Sequence, residues 1–371
     1  MRIVIVGPAF PYKGGGAHHT TELAHRLAGA GHEVVLESWK AQYPSFLYPG
    51  EQTISAPEGE PFPGTRRKLA WYRPDGWLRA GRGFRAADLV VFVVLSTVQA
   101  PSYLGMLAGL GRGRTRTLAL CHNVLPHERK PYDEPLMRRL LRRVDGVLVH
   151  SASQAEAAKS LAGTPVTMAE MAPHFPERAA AGPGAETEPG VRRRLLFFGM
   201  VRPYKGLDVL LRALAAGPPD VSLTVAGEFW SDVAETRALI ESLGLDGRVD
   251  LRPGYVPAAD VPGLFAAADA LVLPYRSATA SQNVDLAFSH GIPAIVTRTG
   301  TLADQVRPGT DGLVCEPDDV ASLTDAIKHF YDDPARYRAA VRPVDAGPRW
   351  AAYLTALVGR PIAEDAMLPD A

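Results

Sequence analysis

Residues Arg2–Gly7, RIVIVG, are β-branched at every position from Ile3 to Val6, with no polar alternation. A run of this kind reads as a strand buried on both faces, as strands of parallel sheets are. A loop follows from Pro8 to Gly16. Leu23, Ala24, Leu27 and Ala28 then recur at helical spacing, Gly29 and Gly31 stop that helix, and His32–Ser38 reads as a second strand. Strand, helix and strand in this order make a βαβ unit, which dictates a parallel sheet.

The alternation continues along the chain. Asp88–Leu95, Thr117–Cys121 and Gly146–His150 read as strands, and Asp133–Val144 as a helix. At Pro176–Gly190, PERAAAGPGAETEPG, periodicity stops; this is the composition of an exposed linker, or of a long surface loop inside one domain. A second series then begins. Its strands are Arg194–Phe198, Ser222–Ala226, Val249–Arg252, Ala270–Leu273 and Pro293–Thr297. Its helices are Gly206–Ala216, Ala234–Leu243, Ala259–Ala267, Val284–His290 and Val320–Tyr331. The pattern predicts two tandem, doubly wound, Rossmann-like α/β domains at 1–175 and 191–345, with a linker at 176–190. Arg349–Val358, with Trp350, Tyr353, Leu354 and Leu357, is a last amphipathic helix available to pack back on the first domain. Such sheets bind ligands beyond the carboxyl ends of their strands, so a cleft between the domains is the expected site.

Composition narrows the function. Forty Lys and Arg residues against forty Asp and Glu give zero formal net charge, which argues against a nucleic-acid partner. The two cysteines, Cys121 and Cys315, are far apart and in no zinc or redox spacing, so a cytoplasmic location is expected. The opening MRIVIVGPAFPY breaks at Gly7-Pro8, too early for a signal peptide. The longest apolar runs, such as Leu89–Leu95, fall far short of the roughly 20 residues that span a bilayer.

Four constellations carry chemistry. Lys13-Gly14-Gly15-Gly16 precedes a helix, where glycines let backbone N–H groups approach an anion; a plain flexible turn is the other reading. Glu37 lies about 20 residues on, as a dinucleotide fingerprint requires, but His19 stands at the third glycine position and the glycines start seven residues beyond Gly7, so a nicotinamide site is not expected. Gly199-Met-Val-Arg202-Pro-Tyr-Lys205-Gly206 joins a strand to a helix, and two cations at a helix N-terminus suit a diphosphate. His122-Asn123, followed by His127, ends a buried strand; the imidazole either meets substrate there or satisfies local backbone. The small polar run Ser277–Asn283 leads into a helix, with Ser281 as its N-cap.

In this order the pieces resemble the GT-B fold glycosyltransferases, specifically glycosyltransferase family 4, over about residues 1–358. The GGG loop, His122-Asn123, His150-Ser151 and the linker carry the resemblance in the first half. In the second half it rests on the GMVRPYKG loop, read as a match to the family's Gly-Arg-x-x-x-Lys-Gly pattern, and on Gly227-Glu228, Gly254-Tyr-Val-Pro257, Asp269–Tyr275, Gly291-Ile-Pro293 and the loop Asp311–Asp318. The resemblance implies transfer of a sugar from a nucleotide-sugar donor to a carbohydrate or polyprenyl-lipid-linked acceptor, with retention of configuration and without a metal. It assigns the donor diphosphate to Arg202 and Lys205, and places His122 against the donor sugar. It implies donor contacts at Gly15, Gly16, Gly199, Gly254, Val256, Ser281, Gln282 and Asn283, and acceptor-side positions at Gly14, Asn123 and His127.

One departure stands out. The family carries two glutamates eight positions apart at the donor site, and counting back from Gly291-Ile-Pro293 finds Ala278 and Leu286 there. Asp285 is adjacent, but one helical step turns a side chain by about 100°. A deoxyribose-bearing donor such as a dTDP-sugar, a rearranged site using Ser281, Gln282 or Asn283, or lost catalysis would each account for this; the polar residues of the same loop favour the rearranged site. The rival functions are a sugar-nucleotide epimerase or hydrolase, and a binding protein without turnover. Arg66, Arg67, Lys68, Arg73, Arg79, Arg82 and Arg85, interleaved with Trp71, Tyr72 and Trp77, form a basic aromatic cluster. Arg138, Arg139, Arg142 and Arg143 add a second basic patch. Cations with aromatics suit peripheral contact with an anionic membrane; a solvated face with aromatics packed inward is the alternative.

Overall fold

The computed structural model describes residues 1–44, 51–175, 192–279 and 281–359; the linker expected at 176–190 lies outside them. The chain divides into two compact units, one made of Met1–His174 and the chain from Asp345 onward, the other of Phe175–Val344.

In the first unit seven strands are described: β1 Arg2–Val6, β2 Glu33–Ala41, β3 Thr65–Ala70, β4 Leu89–Val94, β5 Arg116–Cys121, β6 Gly146–Val149 and β7 Val166–Met168. They lie in the order β3-β2-β1-β4-β5-β6-β7, and every pair is parallel. The β-branched runs are buried on both faces because helices cover both. Val4, Val6, Val90, Phe92 and Val94 pack on one side, and Ile3, Ile5, Leu89, Val91 and Val93 on the other, the two-residue period of a pleated strand. The last helix, Ala346–Val358, belongs to this unit: Trp350, Tyr353, Leu354 and Leu357 sit with Ile3 and Ile5. The Trp350 indole N–H donates to the Pro173 carbonyl at 2.8 Å, and Arg116 donates to the carbonyls of Leu357 and Val358 at the helix end.

The second unit holds β8 Arg194–Phe198, β9 Ser222–Gly227, β10 Val249–Pro253, β11 Ala270–Leu273, β12 Ala294–Thr297 and β13 Gly312–Cys315. Their order is β10-β9-β8-β11-β12-β13, again with every pair parallel. In each sheet the order reverses once, between β1 and β4 and between β8 and β11. At such a switch point the loops leave in opposite directions and open a crevice. The GGG loop follows β1; the GMVRPYKG loop follows β8, and the loop from Pro274 follows β11.

Several elements differ from the sequence reading. The basic TRRKLA stretch is an edge strand, β3, and helices lie at Pro74–Gly83, Ala100–Leu110 and Ala152–Leu161 where none was expected. The helix from Asp133 ends at Leu141, before Val144. The stretch Asp311–Asp318, read as a loop, contributes β13 beside β12. The aromatics of the basic cluster divide: Trp77 is partly buried and donates to the Ala70 carbonyl at 2.7 Å, whereas Trp71 and Tyr72 are 40% and 54% exposed.

Candidate functional site

The crevice of the second unit is built where β8 and β11 part. Gly199 follows β8 with a φ of 101°, a conformation that side chains rarely adopt, and a Cβ there would come within 3.3 Å of Asn283 Nδ2 and 3.8 Å of Lys205 Nζ. Gly199, Lys205 and Asn283 therefore meet at one point. The Asn283 amide donates to the Phe198 carbonyl at 2.9 Å, tying the helix Gln282–Ser289 to the strand end. Ser281 caps that helix by accepting from the Asn283 N–H at 3.3 Å. Gln282 opens its first turn, and the Gln305 amide donates to the Ser281 carbonyl at 3.1 Å. The N-terminal amides of this helix thus lie beside a cationic loop, an arrangement that attracts anions.

Lys205 is partly buried, with its ammonium 5.1 Å from the Tyr275 ring centre. Burial lowers its pKa, Tyr204 acts the other way, and the neighbouring Arg202 charge lowers it further. Burial pushes the Tyr275 hydroxyl up to about 12, with Ser281 and Asn283 beside it pulling the other way. The Arg202 guanidinium lies 4.6 Å from the Trp230 ring centre and 5.9 Å from that of Tyr204. In the pattern Gly-Arg-x-x-x-Lys-Gly an arginine follows the first glycine directly; Met200 holds that place here, and Arg202 supplies its guanidinium from closer to the lysine.

Arg276, which the sequence reading left without a role, fixes this loop. Its side chain makes a two-point ion pair with Asp208 at 2.8 Å, reaches Asp318 and donates to the Pro203 carbonyl, while its backbone N–H donates to the Tyr204 carbonyl. Hydrogen bonding to Asp208 is the main cause that raises its pKa. A lone arginine in a small polar run gives no sign in sequence of four partners so far apart along the chain.

The remaining positions of this unit separate. Gly254 has a φ of 131°, open space around it, and an N–H donating to the Gly227 carbonyl at 3.0 Å. Val256 packs against an apolar cluster of this unit. Leu286 is in that same cluster, 5% exposed, and Asp285 beside it is also buried. The position where a second glutamate was sought is thus part of the apolar core. The carbonyl of Ala278 lies 2.0 Å from where a Cβ on Gly300 would stand, so that backbone is packed tightly on the next loop.

In the first unit the GGG loop opens the helix Gly15–Gly29. A Cβ on Gly16 would fall 2.6 Å from Leu95 Cδ1, so glycine lets this helix seat against the end of β4, and one on Gly15 would approach His174 Nε2 at 3.7 Å. Gly14, ahead of them, has open space around it. His122 continues β5, its N–H donating to the Val94 carbonyl at 3.0 Å, and Asn123 beside it is partly buried; His127 is exposed.

His122 is one of four histidines that the fold gathers. Its ring lies 4.6 Å from His19, 5.2 Å from His150 and 6.4 Å from His174, measured between centroids. Trp350 stacks on His19 at 5.9 Å and Tyr353 on His150 at 5.7 Å. Both ring nitrogens of His19, Nε2 of His122, Nε2 of His150 and the Tyr353 hydroxyl are buried without a hydrogen-bond partner. His150 Nδ1 pairs with the Ala169 carbonyl and His174 Nδ1 with that of Ala172. Burial is the main cause that lowers all four pKa values, to about 4 for His150 and about 3 for His174, and mutual repulsion adds to it for His19, His122 and His174. The nest is neutral at pH 7. Among the described residues no group of three or more His, Cys, Asp or Glu side chains is arranged to hold a metal ion.

Two family models match, one in each half of the chain. "Glycosyltransferase Family 4" covers residues 13–175, and "Glycosyl transferases group 1" covers residues 192–333. Among curated relatives, the D-inositol 3-phosphate glycosyltransferase of Arthrobacter sp. (strain FB24) is 30% identical over 205 residues, 48% of each chain. The GDP-mannose:glycolipid 4-beta-D-mannosyltransferase of Xanthomonas campestris pv. campestris is 30% identical over 200 residues, 53% of this chain and 54% of that one. The chain thus spans about half the length of these relatives. Among solved structures, sucrose-phosphate synthase from Thermosynechococcus elongatus superposes with a TM-score of 0.73 at 18% identity, covering 97% of both chains. Anabaena HepE in complex with UDP and glucose gives a TM-score of 0.71 at 16% identity, covering 96% of this chain and 98% of that one.

Proposed function

With a matched model in each half and two Rossmann-like units, the chain belongs with the family 4-like GT-B glycosyltransferases, and from that premise we propose that it transfers a sugar from a nucleotide-sugar donor to an acceptor hydroxyl. The observation that carries the reading is the convergence of Gly199, Lys205 and Asn283 at the β8/β11 switch point, with Arg202 on the same loop. Two cations and the amide N-terminus of the helix Gln282–Ser289 suit a diphosphate, whose charge grows as the sugar departs. In this reading Arg202 and Lys205 neutralise the leaving nucleotide, and N–H groups of the Ser281–Asn283 turn donate to phosphate oxygens or sugar hydroxyls. Gly254 and Val256 border the base. His122, neutral at pH 7, donates or accepts a hydrogen bond at the donor sugar, and Gly14–Gly16, Asn123 and His127 lie on the acceptor side.

The protein cations do the work of a divalent ion, so activity is expected to survive chelation by EDTA. The anomeric configuration is retained, an expectation that rests on the family resemblance. The acceptor is a carbohydrate or a polyprenyl-linked lipid, in line with relatives whose names include a glycolipid mannosyltransferase. A cytoplasmic location is compatible with two buried free thiols, Cys121 and Cys315. Among the described residues no helix is long and apolar enough to cross a membrane. Exposed Trp71 and Tyr72 beside the basic edge strand β3 support peripheral contact with an anionic surface.

The test is a thermal-shift screen against UDP, GDP, ADP and dTDP, followed by product analysis with the matching sugar nucleotides and a panel of acceptors. A bound nucleotide raises apparent stability by mass action. Stabilisation by one of them and acceptor-dependent release of that nucleotide are expected. No stabilisation by any, or conversion of the donor sugar without an acceptor, would refute the reading.

A further inference from the structure

The loop that carries Arg202 is laced to the loop after β9. Gly199 N–H donates to the Ala226 carbonyl at 2.9 Å, Val201 N–H to the Glu228 carbonyl at 2.8 Å, and Trp230 N–H back to the Val201 carbonyl at 3.1 Å. Val201 and Phe229 form a parallel bridge in the same ladder. Three backbone bonds therefore fix the height of residue 230 against residue 202. At that height the indole face of Trp230 lies under the Arg202 guanidinium, 4.6 Å from centroid to Cζ, nearer than the Tyr204 ring at 5.9 Å. Arg202 itself is extended, with φ −138° and ψ 156°, so its side chain leaves the loop just before the tight turn Pro203–Lys205.

A long, flexible arginine loses conformational freedom when it grips a ligand. An aromatic face that holds the guanidinium beforehand removes part of that loss, and stacking engages the flat face of the guanidinium, not the in-plane N–H edge that meets phosphate oxygens. We infer that Trp230 is a positioning residue: its indole holds Arg202 in the orientation that binds the donor diphosphate. This rests on the donor-site reading above and adds to it a residue that acts on the donor through Arg202.

A double-mutant cycle on the full chain separates the two. Calorimetric affinity for the nucleoside diphosphate selected by the thermal-shift screen is measured for wild type, Trp230→Leu, Trp230→Phe, Arg202→Ala and the double variant Trp230→Leu/Arg202→Ala. An exposed to partly desolvated cation–π contact predicts a loss of roughly fivefold for Trp230→Leu. Trp230→Phe, which keeps an aromatic face, is expected to recover most of it. In the Arg202→Ala background Trp230→Leu is expected to cost nothing further. Melting temperatures establish that each variant is folded; should Trp230→Leu fail to fold, Trp230→Met takes its place in the cycle. An equal loss from the Trp230 change with and without Arg202, or failure of Trp230→Phe to recover affinity, overturns the role of Trp230 and leaves the donor site standing. Unchanged affinity in Arg202→Ala overturns both.

Discussion

The histidine nest makes the first unit sensitive to acid, and the size of the effect follows from burial. His19, His122, His150 and His174 are held neutral in the fold, with pKa values below the ordinary 6.5. In the unfolded chain each titrates near that ordinary value. Above pH 6.5 neither state binds these protons and the nest does not affect the balance. As pH falls below 6.5 the unfolded state takes up protons that the folded state refuses, so stability drops until the folded pKa values are reached, about 4 for His150 and about 3 for His174. At pH 5.5 each histidine that stays neutral in the fold costs roughly 1–2 kcal/mol, and four cost about 6 kcal/mol. That is a large part of the ~5–15 kcal/mol by which a domain is stable. Four of the five tryptophans, Trp39, Trp71, Trp77 and Trp350, lie in this unit, so urea unfolding followed by tryptophan fluorescence reports mainly on it. The urea midpoint should fall steeply between pH 7 and pH 5.5. In His19→Phe, or in His150→Gln if the first is overpacked, the fall should shrink by about a quarter, since one of four titrating groups is gone. A midpoint flat across this range, or an undiminished fall in both variants, would refute a neutral buried nest.

Other outcomes follow from the same geometry. Lys205→Ala should lower kcat by about 10²–10³-fold, with a melting temperature close to wild type because the residue lies on a loop; single-turnover rates with the identified donor check this. Trp350→Ala should destabilise the first unit by roughly 3–5 kcal/mol, because it empties a fully buried indole site and leaves the Pro173 carbonyl without its donor; urea unfolding measures it. Flotation with vesicles containing anionic lipid should carry the protein up, and a Trp71→Ser/Tyr72→Ser variant should stay down; equal flotation with neutral vesicles would remove the membrane proposal.

What could be read in advance divides along physical lines. β4, Leu89–Val94, is apolar at every position because both its faces are covered, and such a run has one plausible reading. β3 is illegible in sequence because an edge strand is wet on one side, and Thr65-Arg-Arg-Lys gives no burial pattern. The helices Pro74–Gly83 and Ala100–Leu110 are masked in sequence because their glycines look like breakers. A Cβ on Gly81 would stand 1.9 Å from the Met106 carbonyl oxygen, and one on Gly109 2.2 Å from that of Leu78, so these glycines let the two helices touch backbone to backbone. At the candidate site, Lys205 and Ser281 were legible from loop position and capping chemistry. In sequence His19 only spoils a dinucleotide fingerprint; its place between His122, His174 and Trp350 depends on segments more than a hundred residues apart. Trp230 belongs to no motif, and only a backbone ladder between two loops brings it under Arg202.

The assignment of Ala346–Val358 to the first unit has a consequence for synthesis. In chain order the second unit is an insertion, so the ribosome delivers all of it before the helix that seals the first. At about 5–20 residues per second, the nascent first unit waits roughly ten to forty seconds before Trp350, Tyr353, Leu354 and Leu357 join the apolar cluster that holds Ile3 and Ile5. The latecomer half can finish folding earlier than the half that emerged first.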